Sequence, residues 1–103
     1  MTKVSNVGLV VRLVAKSGKE EELAAFLAGA EPLAHAESFT PAWLALRTSK
    51  DVFWIVDTFA NEGDRQRHVD GEIAKALFAS APELLAEPPS ILEADVLGEK
   101  LPA

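Results

Sequence analysis

Residues 7–15 read VGLVVRLVA, and the fold follows from how that stretch must be covered. On an extended chain Val7, Leu9, Val11 and Leu13 share one face, while Val10 and Val14 make most of the other face apolar, with Arg12 the exception. Such a run predicts a strand covered on both sides. Residues 52–59, VFWIVDTF, repeat the pattern: Phe53, Ile55 and Phe59 share a face with Asp57, and Trp54 and Val56 line the other. Just before them, residues 42–48 alternate Trp43, Ala45 and Arg47 with Leu44 and Leu46. The polar turn Ser49, Lys50, Asp51 between the two runs predicts an antiparallel hairpin.

Helical periodicity fills the intervals. Ser17 stands three residues before Glu20, the spacing of a capping box, and Glu20, Glu21 and Glu22 put negative charge where a helix dipole favours it. The inward stripe of that helix is Leu23, Phe26, Leu27 and Ala30, and Pro32 is expected to kink or end it. A loop follows around residues 37–41. Asn61, with Asp64 at the third position, caps a second helix to about Ala81 with a kink at Gly71; Val69, Ile73, Leu77 and Ser80 recur at helical spacing. Pro82 is expected to interrupt it, leaving one more turn over residues 83–86. Pro88 and Pro89 force an extended entry into a last strand over residues 91–97, and the tail from Gly98 is expected to be exposed.

The element order predicts an α+β, ferredoxin-like β-α-β-β-α-β domain with an antiparallel four-stranded sheet, one domain over residues 1–103. Two helices cover only one face of such a sheet. The other face is apolar too, so we expect a homodimer with the sheets packed face to face.

Composition narrows the partners. The chain is 49% hydrophobic and 25% charged, as in ordinary globular proteins, and its net charge of −6 with no cluster of Lys and Arg argues against nucleic acid. With no cysteine, disulfides, thiolate nucleophiles and Cys-based metal sites are excluded, and a cytoplasmic location is expected. Residues 1–6 lead straight into the first strand rather than into a signal-peptide core. No stretch approaches the roughly 20 apolar residues of a membrane span. Two histidines without a short ligand spacing give no metal site, no Gly-rich strand-to-helix loop marks a nucleotide, and no nucleophile elbow marks a serine triad.

Three stretches, SGKEEELAAFL (17–27), FWIVDTFANEGDRQRH (53–68) and HVDGEIAKAL (68–77), together resemble the antibiotic biosynthesis monooxygenase domains, which are dimeric α/β-barrel proteins. Gly18, Lys19 and Glu20 match the family's Gly-Lys-Glu-like helix start, and Asp57, Phe59, Asn61 and His68 match its strand acid, aromatic, polar turn and helix histidine. The chain departs from the family in two places. The usual Glu-Pro-Gly after the first helix is Glu37, Ser38, Phe39, Thr40, Pro41 here, and the strand acid is Asp57 rather than Glu. Heme-degrading relatives use an Asn in the first strand, with a Trp and a His in the second helix; the corresponding places here hold Val11, His68 and Phe78, which disfavours heme breakdown.

The resemblance implies oxygenation of a small aromatic quinol or phenol by O₂ with no cofactor, which needs a dry apolar pocket, a base and oxyanion donors. His68 is the candidate base because imidazole titrates nearest neutral pH, although on a regular helix it shares a face with Arg65, Glu72 and Lys75 and can equally be a solvated partner of Glu72. Asp57, among aromatic and aliphatic neighbours, is the second catalytic candidate; alternatively Arg12 or Arg47 holds it across the sheet. Trp43 and Trp54 can stack on an aromatic ligand or serve as core, and Asn61 and Arg47 complete the substrate-binding candidates. His35 reads as a surface residue. A non-oxygenase binding or isomerase-type protein and a non-catalytic dimeric domain are the alternatives on the same fold.

Overall fold

In the computed structural model, which describes residues 3–102, the stretch that opens the sequence is the middle of the sheet. Val7–Val14 (β1) is flanked by Val52–Phe59 (β3) and Ser90–Asp95 (β4), and Ala42–Arg47 (β2) adds to the far side of β3. The order is β2-β3-β1-β4 and every pairing is antiparallel, with Leu9 opposite Asp57 and Glu93. This is the expected ferredoxin-like arrangement. Residues 1, 2 and 103, which the single-domain expectation includes, lie outside the described residues.

The period of two then sorts the side chains. Leu9, Val11 and Leu13 of β1 and Phe53, Ile55 and Phe59 of β3 point to one face, where they are buried against Leu23, Leu27, Leu77 and Leu84 of the helices. The opposite face carries Val10, Val14, Val56 and Trp54, half-buried, with Leu44, Leu46 and Leu92 exposed at its flanks. Gly8 sits on that face because β1 and β3 run very close: a Cβ there would lie 2.7 Å from the Asp57 carbonyl oxygen.

The helical layer is more divided than its periodicity suggests. Glu20–Gly29 (α1) stops before Pro32, and the chain turns at Ala30 into a short helix, Glu31–His35 (α2), which accepts the proline in its first turn. Glu62–Val69 (α3) and Glu72–Leu84 (α4) are separate helices broken at Asp70 and Gly71, not one kinked helix. Asn61 caps α3 as expected, its Oδ1 accepting the Asp64 N–H at 2.8 Å.

Ser17 does not cap α1. Gly18, at φ +86°, makes a turn that leaves Ser17 outside the helix, Lys19 holds the cap position without a side-chain capping bond, and Glu20 accepts the Gly18 N–H at 2.9 Å. Nor does Pro82 interrupt α4, which continues to Leu84. The carbonyl that the proline leaves without its helical partner belongs to the exposed Phe78, and the last turn is tied to β1 by Lys16 N–H to Leu84 O and Ala86 N–H to Val14 O, both 2.8 Å. Beyond β4 the tail crosses the end of the sheet. Val96 donates to Asn6 O at 2.9 Å, and Glu99, expected to be exposed, accepts the backbone N–H groups of Val4 and Ser5.

Candidate active site

The alternation of β3 that buries Phe53, Ile55 and Phe59 buries Asp57 with them, at 1% exposure. A buried carboxylate needs a counter-charge or donors. His68 supplies the counter-charge from the last turn of α3: the break at Gly71 lets this turn face the sheet, the ring is 6% exposed, and its Nε2 lies 2.9 Å from Asp57 Oδ2. The Phe59 ring flanks it at 5.2 Å. His68 is therefore not a solvated partner of Glu72, and Asp57 is not held by an arginine, since Arg12 pairs with Glu87 and Arg47 with Glu21.

The other ring nitrogen, Nδ1, meets a residue from the loop after α2: Glu37 Oε1, 2.7 Å away. The same oxygen accepts the Thr40 hydroxyl at 2.8 Å. Gly71 makes room for this carboxylate, because a Cβ there would lie 3.1 Å from Glu37 Oε2 and about as close to two backbone carbonyls. Arg67, stacked at 4.1 Å over Phe39, fastens the loop to α3 a second time. Burial, the largest single influence on His68, pushes its pKa down; contact with and charge from Asp57, then Glu37, more than offset this and raise it above its ordinary 6.5. The two carboxylates favour the protonated form of the imidazole, and each ring nitrogen faces one of them. Among the described residues no group of three or more His, Cys, Asp or Glu is arranged to hold a metal ion.

Beside the triad an open cleft of about 740 Å³ lies between the α1–α2 helices, β2 and the tail, its wall including Leu27, Ala34, Glu37, Thr40, Trp43 and Leu101. Its lining is mixed, the apolar Leu27, Ala34 and Leu101 and the Trp43 indole standing beside Glu31, His35, Glu37, Thr40 and Lys100. His68 and Asp57 do not line it; Glu37 joins them to it. Trp43, opposite Asp57 across the β2–β3 pair, forms part of the wall. The other substrate-binding candidates are not brought to this cleft. Trp54 lies on the open sheet face and donates to Thr48 Oγ1 at 2.8 Å, Asn61 is the α3 cap, and Arg47 bonds Glu21 and Lys50 O while stacking at 4.8 Å over Phe53. His35 is on the surface, 3.6 Å from Glu31. Glu37 was not among the candidates; its one signal in the sequence is its position where the resembled family has the Glu of Glu-Pro-Gly.

With this geometry in hand, comparison with known proteins gives a near relative. A protein of unknown function from Nitrosomonas europaea, NE2512, is 49% identical over 99% of both chains and superposes with a TM-score of 0.96. This chain belongs to the NE2512 family. More distant structures share the fold: provisionally named antibiotic biosynthesis monooxygenases from Caulobacter crescentus (18% identity, 92% of this chain and 93% of that one, TM-score 0.78) and Nitrosomonas europaea (13%, 94% and 95%, 0.81). The fold of the NE2512 family is thus that of the antibiotic biosynthesis monooxygenase domains, in agreement with the sequence resemblance. No family model matches the chain, and no curated protein matches it. Among the described residues no helix is long and apolar enough to cross a membrane.

Proposed function

We propose that this protein is a cofactor-independent monooxygenase of a small aromatic quinol or phenol, acting as a homodimer, with His68 and Asp57 as the core of its proton-accepting centre. The observation that carries this reading is the buried chain of Asp57, His68 and Glu37 ending at a cleft with an indole and aliphatic side chains in its wall. A substrate deprotonated there becomes electron-rich enough to react with O₂ directly; at an anthrone-type carbon the two hydrogens leave with one oxygen atom as water, and the other oxygen forms the carbonyl. The protein's part is to bind, exclude water and take the proton.

Purified protein with chelator present and no added flavin is expected to accelerate O₂ uptake by an anthrone or quinol. His68→Ala and Asp57→Asn are each expected to lower the rate roughly 10²- to 10⁴-fold, as for loss of a general base. Full activity in both variants would refute this site. An isomerase-type reading draws support from the same geometry, since a carboxylate at the cleft backed by a buried histidine can take a proton and return it; ligand binding without O₂ uptake across a panel of quinols would favour it.

A further inference from the structure

We propose that Glu37 is the group that takes the proton from a ligand in the cleft, with His68 and Asp57 behind it as positioning residues, so that the cleft selects neutral, weakly acidic hydroxyaromatic molecules. This rests on the reading of the cleft as a small-molecule site, but not on the reaction with O₂.

The three groups stand in order of burial. Asp57 is sealed in the core, His68 is nearly so, and only Glu37 reaches the cleft wall. His68 cannot serve the ligand directly, because both of its nitrogens are occupied by carboxylates. Of the two Glu37 oxygens, Oε1 already receives Thr40 and His68, whereas Oε2 receives no hydrogen bond among the described residues. A proton delivered to this carboxylate is felt through Oε1 by the imidazolium and through it by Asp57. The phenolic O–H bond breaks, the proton joins Glu37, and the electron pair stays on the phenolate oxygen; no net charge is added to the site.

The surrounding charges say which ligands enter. The cleft wall carries Glu31 and Glu37 against His35 and Lys100, and Arg67 is engaged with Phe39 and with Asp64, 3.6 Å away. The two carboxylates outnumber the one lysine, so the cleft repels an anion more than a neutral phenol. The Trp43 indole and the aliphatic part of the wall suit a small planar ring.

The test is absorbance titration with 4-nitrophenol, whose phenolate alone absorbs in the visible, at a pH where the free probe is mostly protonated. Wild type is expected to bind it with the phenolate band. Glu37→Gln is expected to bind it as the neutral phenol, the phenolate fraction falling roughly tenfold, the equivalent of one pKa unit. Gly71→Ala keeps every titratable group but puts a methyl against Glu37 Oε2, and it too is expected to lower that fraction; should Glu37→Gln fail to fold, this variant decides. The proposal is overturned if wild type leaves the probe unbound or binds it only as the phenol, or if the variants keep the phenolate band. Phenolate binding without O₂ uptake on any quinol upholds Glu37 and defeats the oxygenase, whereas O₂ uptake retained by Glu37→Gln does the reverse.

Discussion

The carboxylates of Asp57 and Glu37 favour the protonated form of His68, and this couples the fold to pH. Because its pKa is raised in the folded state, the resulting stabilisation is fully present below the unfolded value near 6.5 and is lost as pH rises through the folded value. His68→Asn removes it and leaves two carboxylates facing each other across the gap. Below pH 6.5 the variant is expected to lose roughly 3–5 kcal/mol, as when one partner of a buried pair is removed. The difference between wild-type and variant urea midpoints should shrink as pH rises above 6.5; a constant difference would show that folding leaves the histidine's pKa unchanged. Asp57 and His68 were legible in the sequence because strand alternation and a family pattern both mark them. Glu37 was not, since no periodicity marks a loop residue and its contact with His68 spans a hairpin and a helix turn.

At the scale of elements, two helix starts that look alike in sequence behave differently. Ser17 and Asn61 each precede an acid by three residues, yet only Asn61 has its side chain bonded to the helix, because Gly18 inserts a left-handed turn after Ser17. Asn61→Ala is therefore expected to cost about 1 kcal/mol, and Ser17→Ala to stay within about 0.5 kcal/mol; thermal midpoints of the two variants measure the contrast. All four strands were legible from periodicity, with β3 matching to the residue and the others within two residues of their ends. Punctuation was legible only in part. Pro32 ends the first helix as expected, but Gly71 divides its helix rather than kinking it, and Pro82 is tolerated because its helix turn is anchored to β1 and its orphaned carbonyl lies on an exposed residue. Whether a breaker breaks depends on neighbours distant in sequence, which local spacing does not reveal.

The whole molecule is a sheet dressed on one side. Leu44, Leu46 and Leu92 are 45–59% exposed on the bare face, around half-buried valines and Trp54, and a second copy of the chain is the occupant we propose for it. Leu92→Glu is expected to halve the mass seen in analytical ultracentrifugation at micromolar concentration while leaving the fold intact, since the leucine packs little within one chain. An unchanged mass would place the interface elsewhere. The position of β1 in the sheet bears on how such a chain is born. It leaves the ribosome before both of its partners, one edge waiting for β3 and the other for β4, with Val7 meeting Asp95. Pairings that distant make folding slow and leave a newly made, strongly apolar strand with an open edge until β4 has been made. The nascent protein therefore passes through a window in which its own best core strand is its chief aggregation hazard, and lower temperature, which weakens apolar association, should raise the yield of folded material.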